Sequence, residues 1–163
     1  MKNGILIRDG EGRGPFKNIG DYIQSIAQRQ FWVCKGSIET FVDIERLSDY
    51  RNDEQVALIM NGWFTWNCSK FLPPACISPL FISFYVNPKR YDDFFTSENT
   101  LYLKQHQPIG ARDIRTMHKL ESLGIESYFS GCLTLTLGNT YCKKDLKAEL
   151  RSEMLEIIIN LTV

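Results

Sequence analysis

The sequence predicts an α/β domain built on a largely parallel sheet, and three observations carry that prediction. Short apolar runs of strand length recur at 5–7, 56–60 and 79–86. Between and after them lie segments with apolar residues at helical spacing, the clearest at 19–31 and 112–123. The 163 residues match one ordinary domain with enough interior for a core. Strands that alternate with helices pair in parallel, because the intervening helix carries the chain back across the sheet.

Taken in order, 5–7 is a brief buried strand followed by the glycine-dense stretch RDGEGRGPFKNIGD. The helix at 19–31 places Ile19, Ile23, Ile26, Ala27 and Phe31 on one face. Asn18 is a good N-cap, and Asp21 sits where the acid of a capping box would sit. The run at 56–60 is a second strand, ending at Asn61-Gly62, and 79–86 is a third, closed by Asn87-Pro88. A short helix is expected at 89–95 and a minor strand at 101–103. A strand end at 109–111 then leads into the helix at 112–123, with Ile114, Met117 and Leu120 facing the core. Gly124 falls where a left-handed residue would close that helix. Further strands are read at 127–129 and, from the alternating run CLTLTL, at 132–137. The final stretch reads differently: a helix at 145–156 and a terminal apolar patch, IIINLTV, that needs something to pack against. The main domain is therefore taken as 1–142, and 143–163 as an atypical helix and tail.

Composition narrows the function. Lys+Arg 19 balance Asp+Glu 19, so there is no cationic excess to wrap nucleic acid or to hold an anionic membrane. The longest apolar stretch, 75–86, is interrupted by Ser78, Pro79 and Ser83 and is too short to span a bilayer. No apolar segment of signal-peptide length opens the chain, so a cytoplasmic location is expected. Five cysteines carry no metal-knuckle or redox spacing, and neither histidine has a second histidine at ligand spacing. No metal site is expected, and Cys132, in its strand-like run, reads as a small buried hydrophobe.

Three constellations could carry chemistry. The loop between first strand and first helix combines Arg8, Lys17 and several glycines with a helix N-terminus, a setting for an anion. It matches neither a Walker loop nor the dinucleotide fingerprint, and a plain surface turn before a capped helix is the competing reading. In the second, Arg112 and Asp113 follow 109–111 at the start of a helix, where open α/β sheets bind ligands. Arg112 offers a fork for carboxylate or phosphate. The competing reading makes Asp113 a cap and Arg112 a solvated partner. His106 nearby has a pKa class suited to proton transfer. The third is Asn61-Gly62-Trp63-Phe64-Thr65-Trp66-Asn67, where Trp and Asn could stack on and hydrogen-bond to a sugar. Its competing reading is an aromatic loop packed on the core.

Five segments together resemble the polysaccharide pyruvyl transferase family: NIGDYIQSIAQRQF (18–31), ALIMNGWFTWN (57–67), ISPLFISFYVN (77–87), YLKQHQPIGARD (102–113) and LESLGIESYFSGCLTLTLGN (120–139). The resemblance covers about residues 3–142. It implies a Rossmann-like, mostly parallel sheet with helices on both faces, one lobe of a two-lobed architecture of the GT-B type. It also implies transfer of the enolpyruvyl unit of phosphoenolpyruvate onto two sugar hydroxyls, giving a pyruvate ketal in cell-surface polysaccharide biosynthesis. Neither a metal nor a bound cofactor is needed. Asn18, Gly20 and Asp21 match the family's N-terminal glycine-aspartate motif, and Arg112 and Asp113 its internal Arg-Asp motif. On this reading Arg112 and His106 are catalytic, while Asn18, Gly20, Asp21, Asn61 and Asp113 bind substrate. Family members often carry a His where this chain has Tyr85.

Only the N-terminal lobe is matched. The expected partners are a sugar or lipid-linked saccharide acceptor and either a second lobe or another copy, with no pyruvyl transferase turnover by this chain alone. A non-catalytic sugar- or nucleotide-sugar-binding module is the first alternative, and a flavodoxin-like binding domain the second.

Overall fold

The computed structural model describes residues 1–8, 18–33 and 40–140. The glycine-dense loop, Cys34, Cys142, the helix expected at 145–156 and the IIINLTV patch lie outside the described residues.

Among the described residues eight strands and four α-helices follow in the order β1 (Lys2–Ile7), α1 (Ile19–Val33), β2 (Thr40–Asp43), β3 (Val56–Ile59), β4 (Gly62–Trp63), β5 (Ile77–Leu80), β6 (Phe84–Tyr85), α2 (Tyr91–Phe94), α3 (Ser97–Gln105), β7 (Ile109–Ala111), α4 (Ile114–Ser122) and β8 (Ser127–Phe129), of which β2 was not expected. Every strand pairing is parallel, in the orders β2-β1-β3-β5 and β4-β6-β7-β8. The two sheets are continuous in practice. β4 resumes β3 after Met60 and Asn61, and β6 resumes β5 after a bulge at 81–83. Met60 N donates to Leu80 O at 2.8 Å and Gly110 N to Phe81 O at 3.0 Å across the joins. The bulge holds Ser83 at φ 57, with its N–H taken by Ser130 Oγ. Read across, β2 lies on one side of β1 and all later strands on the other, the doubly wound arrangement whose order reverses between β1 and β3.

Side chains alternate along β3 and sort the core into two layers. Val56, Leu58 and Met60 join the larger cluster with Phe71, Phe84, Phe94, Leu103 and Leu120, so α2, α3 and α4 cover that face. Ile59 turns the other way, onto Ala27 of α1 and Leu133. Right-handed crossovers require this division, because β1 to β2 and β3 onward run in opposite directions across the sheet.

Several expectations are corrected. The segment 101–103 is not a strand but the end of α3, which Thr96 starts by accepting Asn99 N at 3.2 Å. The run 132–137 is not a strand either; Leu133–Asn139 forms a 3-10 helix packed on α1. Its threonines decide this: Thr136 Oγ1 bonds back to Leu133 O at 2.6 Å and accepts Gln30 Nε2 at 2.6 Å. The face assigned to α1 is also revised, since Ile19 and Phe31 are exposed while Ser25, Ile26, Ala27 and Gln28 are all buried. A helix clamped between a sheet and a second layer buries two faces, which a single stripe does not describe. On α4, Ile114 is exposed and Leu120 buried. Gly124, at φ 70, closes α4 as expected: its N–H reaches Glu121 O, and Ile125 N reaches Leu120 O at 3.1 Å.

Among the described residues no helix is long and apolar enough to cross a membrane, and no three His, Cys, Asp or Glu side chains group as metal ligands.

Candidate functional site

The carboxyl ends of β1 and β3/β4 meet where the strand order reverses, and the chain closes this crevice with charge. Arg8 leaves β1 and its buried guanidinium meets two carboxylates. Its Nε lies 3.1 Å from Asp21 Oδ2 on α1, and Nη1 contacts Glu45 Oε1 in the 3-10 helix after β2. Its Nη2 donates to Trp63 O at 2.8 Å. Glu45 in turn accepts Asn67 N at 2.9 Å. Asn61 is equally committed: its Oδ1 accepts from Gln28 Nε2 and its Nδ2 donates to Gln24 O at 3.2 Å. Gly62 follows at φ 151, and a Cβ there would come within 2.9 Å of Ile44 Cδ1. What is left is a cavity of about 20 Å³, room for about one water. Arg8 is thus held in this crevice by two acids and a backbone carbonyl.

A larger cavity opens one strand further along the same edge. Trp63, Tyr85, Arg112, Asp113 and Cys132 line about 340 Å³ at the carboxyl ends of β4, β6 and β7. Backbone pairing sets Arg112: its N–H continues the ladder to Phe84 O at 2.9 Å, so its side chain leaves from the strand end. Among the described residues its guanidinium makes no hydrogen bond and no ion pair. Asp113 caps α4, Oδ1 accepting Thr116 N at 2.7 Å. Tyr85 meets the Trp63 ring edge-on at 5.7 Å. Burial, with the Asp113 carboxylate nearby, raises the Tyr85 pKa, so its hydroxyl is protonated at neutral pH. The Trp63 indole N–H is buried and has no hydrogen-bond partner among the described residues.

The residues singled out in the sequence thus separate into three groups. Asp21 and Asn61 line the small crevice, Arg112 and Asp113 line the larger cavity, and Trp63 forms a wall of both. Asn18 and Gly20 cap α1, Gly20 N donating to Asn18 Oδ1 at 2.9 Å. His106 is not brought to Arg112. It precedes β7 while Arg112 follows it, so the two sit at opposite ends of one strand. Its ring stacks on Tyr102 at 4.3 Å, with Nδ1 2.9 Å from Tyr102 O.

Sequence reasoning missed Glu45 because β2, which positions it, is only TFVD and carries no strong alternation. It also misread Cys132, which is half-buried at the cavity wall rather than a core thiol. Gly131, at φ 68 just before it, was the available signal that the chain turns there. In comparisons with protein-family models, with curated proteins and with solved structures, the chain gives no match.

Proposed function

We propose that the chain is a pyruvyl transferase-like lobe that holds phosphoenolpyruvate against a sugar hydroxyl in the cavity of Trp63, Tyr85, Arg112 and Asp113. The reading draws on the resemblance of five ordered segments, and one observation carries it. Arg112 is an uncommitted guanidinium at a strand's carboxyl end, in a cavity with an aromatic wall. A fork of N–H donors suits a small carboxylate or phosphate, and the orphaned Trp63 N–H suits a ligand oxygen.

In this reading Arg112 grips the donor's carboxylate and Tyr85 donates a hydrogen bond as charge develops. Asp113 accepts a hydroxyl proton on the oxygen not used for capping. One sugar hydroxyl adds to the enol carbon, and the proton it gives to Asp113 is passed on to the methylene, which becomes a methyl. The phosphate leaves, the second hydroxyl closes the ketal, and its proton leaves with the phosphate. His106 takes no part. A sugar-binding module without transfer is the second reading, favoured by the tilted Trp63–Trp66 pair, 6.0 Å apart, beside the cavity.

The test is calorimetric titration with phosphoenolpyruvate, paired with phosphate release in the presence of a β-galactoside acceptor. Arg112→Ala should weaken phosphoenolpyruvate about 10- to 100-fold, the worth of hydrogen bonds to a charged group. Arg112→Lys should weaken it less, having charge without the fork. Donor binding indifferent to both substitutions would overturn the reading. Phosphoenolpyruvate binding without acceptor-dependent phosphate release is expected of a single lobe, while saccharide binding without phosphoenolpyruvate binding would favour the module.

A further inference from the structure

We infer that Cys132 is a covalent partner of the donor held by Arg112: its thiol adds to the enol carbon of phosphoenolpyruvate and keeps the donor in the cavity until a hydroxyl arrives. The inference rests on the proposed function, in its transfer form, and goes beyond it by naming a nucleophile. Among the described residues Cys132 is the one thiol on the wall of the 340 Å³ cavity that Arg112 lines. Cys68 is buried elsewhere, its Sγ donating to Thr65 O at 3.3 Å. Cys76 precedes β5, at the opposite, amino edge of the sheet.

The backbone brings Cys132 and Arg112 to one wall. β7 and β8 are neighbours, with Ala111 opposite Phe129. Just beyond that pair, Ser130 N and Oγ both donate to Ala111 O, at 2.9 and 3.0 Å, and Ser130 Oγ accepts Ser83 N at 2.9 Å. The chain leaving β8 is thus fastened to the residue before Arg112. Gly131 turns it at φ 68, and Cys132 follows onto the cavity wall. Its Sγ lies 3.0 Å from Thr134 Oγ1, a hydroxyl that can accept from a thiol or donate to the sulfur, so the sulfur has an orienting partner in either state.

Cysteine is the most nucleophilic of the side chains lining this cavity. The enol carbon is the electrophilic end of the donor's double bond, because its ester oxygen supports the positive charge that builds there as the methylene is protonated. In the addition one S–C bond forms and the carbon–carbon π bond is lost. The thiol's proton ends on the methylene, which becomes a methyl; no group leaves, and nothing is oxidised or reduced. Reversal expels the sulfur and restores the double bond, so the donor returns for transfer. A carboxylate gripped by Arg112 fixes the enol carbon in place, and a reactant held beside a nucleophile reacts as though highly concentrated. The addition needs no acceptor, so a lobe without turnover still shows it.

The experiment is intact-mass spectrometry of the full chain, quenched in acid after incubation with phosphoenolpyruvate, with peptide mapping and a parallel calorimetric titration. The chain should gain the mass of one phosphoenolpyruvate, on Cys132 and on none of Cys34, Cys68, Cys76 or Cys142. Cys132→Ser should abolish the adduct and Cys76→Ser should keep it. Arg112→Ala should cut it about tenfold or more at subsaturating donor, following the weaker binding. Circular dichroism checks that each variant folds, and the unsubstituted chain supplies a second measurement. Phosphoenolpyruvate should slow the alkylation of Cys132 by iodoacetate and leave Cys76 unprotected. Calorimetric binding with no adduct, with an adduct on another cysteine, or with Cys132 alkylation unchanged would overturn this inference and leave the proposed function standing. If phosphoenolpyruvate does not bind, both fail. A Cys132 adduct undiminished by Arg112→Ala would also overturn both, since Arg112 would then hold nothing.

Discussion

Two arginines leave the carboxyl ends of two strands in this sheet, and each is followed by an aspartate in the sequence. Arg8 at the end of β1 is buried between Asp21 and Glu45 and bonded to Trp63 O, beside a cavity of about 20 Å³. Arg112 after β7 makes no such contact among the described residues and faces about 340 Å³. Local sequence is nearly the same in the two places, so tertiary partners make the difference. Two acids arriving from α1 and from the segment after β2 turn one arginine into a fastener. The absence of any such arrival leaves the other available to a ligand. An α/β sheet therefore offers several carboxyl-edge positions, and the site is the one its own side chains have not already filled.

The strongest way to break this contrast is to remove Arg8. Arg8→Met takes the Arg8 cation away from two shielded carboxylates, and breaking a buried pair in this way costs about 3–5 kcal/mol. That is a large share of a domain's typical stability of about 5–15 kcal/mol. Urea unfolding should show it, and adding Asp21→Asn and Glu45→Gln should restore most of the loss. A change under about 1 kcal/mol would mean that the fastener is ornamental. A smaller effect is expected one layer in, at Gln28. This fully buried amide accepts Leu6 N at 2.8 Å and donates to Asn61 Oδ1, tying β1 and β3 to α1. Gln28→Met keeps the volume but orphans both partners, for about 1–3 kcal/mol. An unaltered urea midpoint would show that Asn61 had no need of it and was available to a ligand after all.

Much of this was legible in the sequence where the signal is local. The apolar runs gave β1, β3, β7 and β8, and Asn18, Asp113 and Gly124 mark helix ends by their own chemistry, a side-chain oxygen or a left-handed φ. What failed was whatever depends on partners far along the chain. LTLTL alternates like a strand, but Gln30, 106 residues away, holds Thr136 in a 3-10 helix. The sequence stretch LYL looks extended until Thr96 caps it into α3. The candidate site divides along the same line. Arg112 and Asp113 were found because a strand end before a helix is a local pattern. The commitment of Arg8, Asp21 and Asn61 was hidden because Glu45 lies 37 residues from Arg8 by the numbering, and Gln28 33 residues from Asn61.

The larger cavity can also be probed through Tyr85, with an effect confined to high pH. Tyr22, Tyr85, Tyr91 and Tyr102 all have pKa values raised above the ordinary 10.0 by burial. In the unfolded chain they ionise near the ordinary value, so the folded state holds these protons longer. Their contribution to stability is therefore intact below pH 10 and is lost as the pH rises through the raised values. Ultraviolet titration should show these four of the seven tyrosines ionising late, and Tyr85→Phe should remove one late phase without changing stability at neutral pH. Seven tyrosines titrating together would contradict the burial of this wall.

The smallest effect expected is the counterpart of the first. Arg112→Ala removes a guanidinium that bonds to nothing among the described residues, from a half-buried position at the mouth of a cavity. No partner is orphaned, because the residue's structural bond, N–H to Phe84 O, belongs to the backbone and survives. Asp113 keeps its capping bond to Thr116 N, so α4 keeps its start. Substitutions away from buried networks usually stay within about 0.5 kcal/mol, and Arg112→Ala should do so in the urea experiment that exposes Arg8→Met. The informative quantity is the difference between the two. Should Arg112→Ala cost more than about 1.5 kcal/mol, the outer arginine is holding the fold as Arg8 does. The distinction between a filled and an open carboxyl edge would then collapse.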